Sequence, residues 1–259
     1  MKPQEVTIMK NPVKAETTKY LMLTVAALGL ALRILLYSTG MDGRGLLVRF
    51  HWTSVALTVL TAAVLVAVFL GTRTVSGSQK CHAAYPASPV AAAGAFAAMA
   101  GIGITTVMGF AEFSSRLNLI IWVLGLCSAV CMGIAGFCRL TGKTPTFLLY
   151  AALCVYFALR MVSGYQRWSA DPQLQDYCYY LLAYVALMLT AYQHAAFHTG
   201  VGRHRSVWFF SLMATYFCIV ALKGATDIYL LLGCGIWAFT NVTKLRPRAR
   251  LKTEKRTDI

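Results

Sequence analysis

The chain has 259 residues, of which 58% are hydrophobic and 13% are charged. Soluble domains carry about 25% charged residues, so this composition excludes an ordinary soluble enzyme. The formal net charge is +15, but the basic residues lie in the two tails and in short loops rather than in one patch. That distribution predicts contact between the basic tails and anionic lipids of a bilayer, and it argues against nucleic-acid binding.

A membrane-spanning helix needs about 20 mostly apolar residues, because about 1.5 Å of rise per residue must cover a hydrocarbon core about 30 Å thick. The predicted spans are residues 20–38, 52–71, 90–111, 117–138, 146–162, 177–199, 207–222 and 228–243. The sequence therefore predicts an all-α, polytopic membrane helical bundle with about eight transmembrane helices. Residues 1–19 and 244–259 form basic tails, and residues 20–243 form the transmembrane domain.

The distribution of charge predicts the orientation. An even number of crossings places both tails on one side, and seventeen of the 24 Lys and Arg residues then lie on that side. Cytoplasmic loops and tails are enriched in these residues, so both termini are predicted to be cytoplasmic and the membrane to be the plasma membrane. The first span follows a mostly polar tail and lacks a cleavage motif, so it is predicted to be retained rather than cleaved.

Small residues recur every four positions on the third and fourth spans. Such ridges let two helix backbones approach closely in lipid, and the short connection between these spans favours an antiparallel hairpin. We therefore expect the two ridges to meet and to form the centre of the bundle. The ridge residues are Ala93, Ala97, Gly101, Thr105 and Gly109 on the third span and Gly125, Ala129 and Gly133 on the fourth.

Aromatic residues cluster at the predicted span ends. Tyr and Trp favour the headgroup region because they combine an apolar ring with a polar edge. Most of these residues are therefore predicted to form interfacial belts. They are Tyr37, Phe50, Trp52, Tyr165, Trp168, Tyr177, Tyr179 and Tyr180 at the outer border and Trp208, Phe209 and Phe210 at the inner one.

Two stretches resemble known groups of membrane proteins. The pattern W-S-x-D-P-Q-L-Q-D-Y at 168–177, followed by L-M-L at 187–189, resembles a group of bacterial multipass membrane proteins with no assigned activity. This resemblance covers most of the membrane region and implies no reaction. The segment 224–233 is similar to an aspartate-containing helix of eight-span lysoplasmalogenases, although the paired aspartates of an earlier helix in that family are absent here.

Charged residues of both signs gather at the predicted outer ends of the spans. Arg33 lies 14 residues after Lys19, about 21 Å along a helix, and an arginine at that depth needs a partner or must snorkel. Solvated loop ion pairs, each contributing about 0–1 kcal/mol, are the simpler interpretation. The alternative is a polar ligand pocket. Its predicted residues are Arg33, Glu112, Lys223, Asp227, Arg167 and Asp171.

Histidines mark the predicted cytoplasmic face. His194 and His198 have the i, i+4 spacing that can place two imidazoles on one metal ion, but no carboxylate lies in the cytoplasmic loops between spans. Hydrogen bonding within the bundle is therefore the favoured interpretation, and these two residues are only weak metal candidates. No motif for another cofactor is present, and none is expected.

Three functions remain open at this point. The polar outer pocket favours binding or transport of a small polar or anionic solute. Acidic residues and histidines at the span ends would instead suit a membrane-embedded enzyme acting on lipids or their headgroups. The basic tails and interfacial aromatic residues would suit a structural or accessory subunit. Transport agrees best with the absence of a soluble catalytic domain.

Overall fold

The computed structural model describes residues 12–40, 51–72, 87–109, 116–168 and 174–244. Within these ranges the regular secondary structure is helical, and the eight helices match the eight predicted segments. The helices are α1 (Pro12–Thr39), α2 (Trp52–Thr72), α3 (Pro89–Met108), α4 (Arg116–Thr141), α5 (Phe147–Trp168), α6 (Leu174–His198), α7 (His204–Ala221) and α8 (Ile228–Lys244).

Six of the helices, α1 to α6, are long and apolar enough to cross a membrane. Large apolar side chains remain exposed on their surfaces; on α2, for example, Val59 is 62% and Val66 55% exposed. Bare apolar helix faces of this kind suit contact with lipid. The chain is therefore a multipass membrane protein. The apolar part of α8, Ile228–Val242, is shorter.

Helices α3 to α8 form a closed ring. Each packs against the next along the chain, and α8 returns to pack against α3. Helix α1 lies outside this helix ring against α7, and α2 packs against α1 and α7. The ring order follows the chain order, as expected when short connections join neighbouring helices.

The most buried helix is α7, not the predicted α3–α4 pair. Thirteen of its 18 residues are buried, because α1, α2, α6 and α8 all pack against it. A helix enclosed by protein need not present an apolar surface to lipid, which is why α7 carries buried polar residues such as Ser211 and Thr215. The prediction that α3 and α4 form the centre is therefore wrong.

The small-residue ridge of α3 faces α8 rather than α4. A Cβ atom on Gly101 would overlap the carbonyl oxygen of Tyr229, and one on Gly233 would overlap the carbonyl oxygen of Ala97. The two glycines thus allow backbone-to-backbone contact at this crossing. The prediction that the ridges of α3 and α4 meet is therefore wrong at Gly101, which contacts α8.

The glycines of α4 instead receive larger side chains from α3. A Cβ on Gly133 would lie 2.8 Å from the sulfur of Met99, and one on Gly136 would lie 3.0 Å from the ring of Phe96. The two helices therefore pack by large residues of α3 fitting against the glycines of α4. The predicted contact of α3 with α4 is present, but different residues make it.

Gly224 directs the chain from α7 into α8. Its φ of +87° lies in the left-handed region that glycine adopts without strain. Three residues later, the carbonyl oxygen of Asp227 accepts a hydrogen bond from the backbone N–H of Leu231, so Asp227 immediately precedes the first turn of α8. Its carboxylate is thereby placed beside the N-terminus of α8.

Candidate functional site

Asp227 is held by three side chains from two neighbouring helices. The guanidinium of Arg160 on α5 donates from Nη2 to Oδ1 across 2.7 Å. The hydroxyl of Tyr184 on α6 donates to Oδ2 across 2.8 Å, and that of Tyr180 donates to the same oxygen. The two hydroxyls are 3.1 Å apart. We call these four residues the Asp227 cluster.

Helix geometry explains why these residues meet. Tyr180 and Tyr184 are four residues apart, so both project from one face of α6. Helices α5 and α6 are neighbours in the ring, and α6 also contacts α8. The start of α8 therefore lies within reach of that face. Opposite charges with additional hydrogen bonds are the arrangement that makes burial of an ion pair tolerable.

A cavity of about 260 Å³ adjoins this cluster. Helices α3, α4, α5, α6 and the start of α8 supply its wall, so it lies at one end of the helix ring. The lining residues are Thr105, Thr106, Met108, Gly109, Asn118, Ile121, Trp122, Tyr156, Arg160, Ser163, Gly164, Tyr180, Thr226, Asp227 and Tyr229. The cavity combines aromatic walls with a few polar groups, as small-molecule sites commonly do.

Two polar atoms in the cavity wall have capacity left for a ligand. The hydroxyl of Thr105 and the Nε of Arg160 are buried and lack a hydrogen-bond partner among the residues that the structure describes. Buried polar atoms are normally hydrogen-bonded, because leaving one unsatisfied costs about 1–3 kcal/mol. Thr105 is only 6% exposed, so bulk solvent does not readily satisfy it. Both atoms belong to residues that line the cavity.

The net charge of the cluster is zero. Arginine stays protonated in proteins, so Arg160 and the Asp227 carboxylate cancel each other. The side chain of Arg160 is 24% exposed and that of Asp227 is 10% exposed. The arginine is thus the more accessible of the two charges.

Gly125 creates the space for the opposite wall. A Cβ on this residue would meet the side chain of Thr106 and lie 3.2 Å from the ring of Tyr156. Thr106 donates to the carbonyl oxygen of Ile102 across 2.7 Å. These contacts fix the aromatic wall against α3 and α4.

Arg33 and Lys223 form a separate group, which we call the Arg33 cluster. The guanidinium of Arg33 lies 5.1 Å from the ring centre of Tyr179 and 5.8 Å from that of Tyr37, and the amine of Lys223 lies 5.8 Å from the same Tyr37 ring. Arg33 is 2% exposed, so it packs inside the protein, where cation–π contacts offset part of its desolvation. Among the described residues, neither cation lines the cavity.

The remaining predicted ligand residues are not all described. Glu112 and Asp171 lie outside the described residues. Arg167 belongs to the last turn of α5, and the structure describes nothing of its side chain. Of the six predicted residues, Asp227 lines the cavity, and Arg33 and Lys223 lie near the connection that contains it.

The two candidate histidines stack on an aromatic ring. The rings of His194 and His198 lie 5.4 Å and 5.2 Å from that of Tyr150, and Trp237 lies 5.3 Å from His194. The described residues contain no group of three or more His, Cys, Asp or Glu side chains placed to hold a metal ion. The histidines thus contribute to aromatic packing at the other end of the helix ring.

Sequence patterns missed the main partners of Asp227. Arg160 lies 13 residues after the start of α5, about 20 Å along the helix. It is therefore about as deep in its span as Arg33, and the argument that selected Arg33 as a candidate site residue would also have selected Arg160. Tyr180 was predicted to be an interfacial residue but is 5% exposed, and Trp208 is 3% exposed. Both belt predictions are wrong, because a neighbouring helix covers each ring.

Comparison of the chain with protein-family models, curated proteins and solved structures finds no match.

Proposed function

We propose that all eight helices cross the plasma membrane and that the protein binds and transports a small polar or anionic solute through the cavity beside Asp227. The observation that carries this proposal is the pair of unsatisfied polar atoms, Thr105 Oγ1 and Arg160 Nε, in the wall of that cavity. An ion pair that only stabilises the fold does not need a neighbouring cavity, nor polar atoms in that cavity's lining residues that lack hydrogen-bond partners.

The size of the cavity limits the solute. Its volume of about 260 Å³ is below the range of about 300–1,000 Å³ typical of sites for drug-sized ligands. The wall contributes the aromatic rings of Trp122, Tyr156 and Tyr229, which suit the apolar part of a molecule with only a few non-hydrogen atoms. Most Lys and Arg residues lie on the side of the two tails, which predicts that this side is cytoplasmic and that the cavity faces outwards.

In this proposal the solute moves between neighbouring helices of the ring. Helices α3 and α8 touch through Gly101 and Gly233 without intervening side chains, and such smooth contacts allow helices to shift relative to one another. In transporters, substrate sites commonly lie between helices that move in this way. Both termini are cytoplasmic in this proposal.

An enzyme acting on lipid headgroups is the second candidate. Met108 and Tyr229 line the cavity and are 64% and 51% exposed. An acyl chain could therefore lie beside them while its headgroup enters the cavity. Transport remains the better account, because Asp227 pairs with Arg160 and can act as a base only after a ligand has displaced that guanidinium.

A valine at position 105 tests this proposal, because it removes the hydroxyl of Thr105 and keeps nearly the same side-chain volume. Thr105→Val should lower the amount of small molecule that the purified protein retains, measured by native mass spectrometry, and leave thermal stability unchanged or slightly raised. The stability should not fall, because the lost hydroxyl has no partner among the described residues. A retained phospholipid whose amount falls in this variant would favour the second candidate.

Thr215→Val is the matched control. Thr215 is 2% exposed and lies on α7 away from the cavity, where its hydroxyl donates to the carbonyl oxygen of Ser211. This control should retain the wild-type amount of ligand. Equal retention in Thr105→Val and wild type, or the absence of any retained small molecule from wild type, would contradict the proposed site.

A further inference from the structure

We infer that the solute is a small monocarboxylate anion and that one proton binds with it, on the carboxylate of Asp227. This inference rests on the proposed function, because it assigns the chemistry of the same cavity. It follows from the charge balance of the Asp227 cluster and from the hydrogen bonds around the carboxylate.

Arg160 supplies the anion site. Its side chain is 24% exposed and lines the cavity, and its Nε has no hydrogen-bond partner among the described residues. A guanidinium presents a planar fork of N–H donors that matches the two oxygens of a carboxylate. One of the donors, Nη2, currently binds Asp227, so a carboxylate ligand competes with Asp227 for this fork.

Charge balance within the Asp227 cluster then favours the uptake of a proton. The ion pair of Arg160 and Asp227 is neutral, and an added anion would leave the partly buried cluster with a net negative charge, which low-dielectric surroundings disfavour. A hydronium ion from bulk solution gives its proton to Asp227 and becomes water, so an O–H bond forms on the carboxylate and neutrality is restored. The ligand carboxylate then pairs with Arg160, and the reverse steps release both the proton and the anion.

The tyrosines can stabilise both protonation states. A phenolic hydroxyl donates one hydrogen bond and also accepts. Tyr180 and Tyr184 now donate to Oδ2 of Asp227. After protonation the Asp227 hydroxyl can donate to one of these oxygens, while the other tyrosine continues to donate. The contact of 3.1 Å between the two hydroxyls lets the pair rearrange together.

Among the residues that the structure describes, the other groups around the cluster do not offer a competing proton site in the cavity. Helices α3 and α4 contribute Thr105, Thr106, Asn118 and Trp122 to its wall, and these side chains do not titrate near neutral pH. The titratable or charged described groups nearby are Arg160 and Tyr156 of α5, Tyr180 and Tyr184 of α6, Tyr229 and Cys234 of α8, Lys223 of the preceding connection, and Arg33 and Tyr37 of α1. Asp227 is the acidic residue among them.

The wild-type experiment uses radiolabelled acetate, propionate and lactate on purified protein, with the corresponding amides as neutral competitors. The carboxylates should bind, and their affinity should fall about tenfold per unit between pH 7 and pH 8, since one proton is taken up with each anion. The amides should compete weakly or not at all. Binding of the amides without the carboxylates would overturn this inference and leave the proposed function standing.

Asp227→Asn tells where the proton goes. Asparagine resembles the protonated acid, so this variant should bind acetate with an affinity that does not change between pH 7 and pH 8. If the tenfold slope persists in the variant, the ligand itself carries the proton and the assignment to Asp227 is wrong. A slope near zero in wild type would also overturn the inference, even if the variant does not fold.

Arg160→Gln combined with Asp227→Asn is the control for the anion site. It leaves the cluster neutral and removes the guanidinium fork, so acetate binding should be lost while the protein stays folded. Unchanged acetate affinity in this double variant would place the anion elsewhere. If no carboxylate binds the wild type although native mass spectrometry detects another retained solute, the inference fails and the proposed function does not.

Discussion

The helix ring has an arginine near each end, and the two arginines have different surroundings. Near one end Arg160 pairs with the carboxylate of Asp227 beside a cavity. Near the other end Arg139, which is 4% exposed, donates to the neutral amide oxygen of Asn241 across 3.2 Å. Helix α8 provides the partner at both ends, because Asp227 precedes it and Asn241 lies in its last turns, about 21 Å further along the helix.

The packing around the two arginines differs as well. At the Arg139 end, the rings of Tyr150, His194, His198 and Trp237 stack on one another and fill the space between helices. At the Asp227 end, two tyrosine hydroxyls point at a carboxylate, and space remains. The two ends therefore differ in packing: the Asp227 end leaves a cavity, which is the site of the proposed ligand, and the Arg139 end is filled by aromatic rings.

Removing the carboxylate should have the largest effect on stability. Asp227→Asn leaves Arg160 without its counter-charge, and breaking a buried ion pair in this way costs about 3–5 kcal/mol. The lower part of that range is expected, because Arg160 is partly exposed. Thermal unfolding in detergent should show the loss, and Arg160→Gln in the same chain should recover most of it. No recovery in the double variant would mean that the pair does not act as a unit.

Displacing the first turns of α8 should have the next largest effect on stability. Gly101→Ala places a methyl group against the carbonyl oxygen of Tyr229, so the backbone must move, at a cost of about 2–3 kcal/mol. Gly103→Ala is the matched control on the same helix, since a Cβ there meets nothing within 4 Å. The control should be neutral or slightly stabilising, because alanine favours helix. Equal melting temperatures for the two variants would contradict the close crossing of α3 and α8.

The Arg139 end should respond less strongly. Asn241→Leu removes a neutral acceptor and leaves one donor of Arg139 without that bond, which should cost about 1–2 kcal/mol. Ligand retention per folded molecule should stay at the wild-type level, because this end does not form the cavity. If Asn241→Leu lowered ligand retention without lowering the melting temperature, the proposal that only the Asp227 end binds the ligand would be wrong.

Much of the fold was predictable because it depends on local features. The length of each apolar run predicted its helix, and the short connection between the third and fourth spans predicted that α3 and α4 pack against each other. The partners of the α3 ridge were not predictable, since Gly101 meets Gly233 more than 130 residues later in the chain. Both faces of α3 carry small residues, and periodicity alone does not tell which face meets which helix.

The candidate site was predictable only in part. Asp227 was identified by its position at a span end, where a carboxylate has limited access to water. Arg33 was predicted to share a pocket with Asp227 on grounds of depth, but the depth of a residue does not determine which way its side chain points around the helix. Tyr180 and Tyr184 are four residues apart, and this spacing could have predicted a polar face on α6. Tyr180 was instead predicted to belong to an interfacial belt, because aromatic residues at span ends commonly lie there.

Labelling of single cysteines at the two ends tests the central claim most directly. In a background without native cysteines, Thr226→Cys places a thiol in the cavity wall, and Val201→Cys places one in the loop after α6, where the native residue is 82% exposed. An impermeant thiol reagent applied to intact cells should label position 226 and not position 201, and bound carboxylate should slow the labelling at 226. Labelling of position 201 alone, or labelling of 226 only after permeabilisation, would contradict an outward-facing cavity.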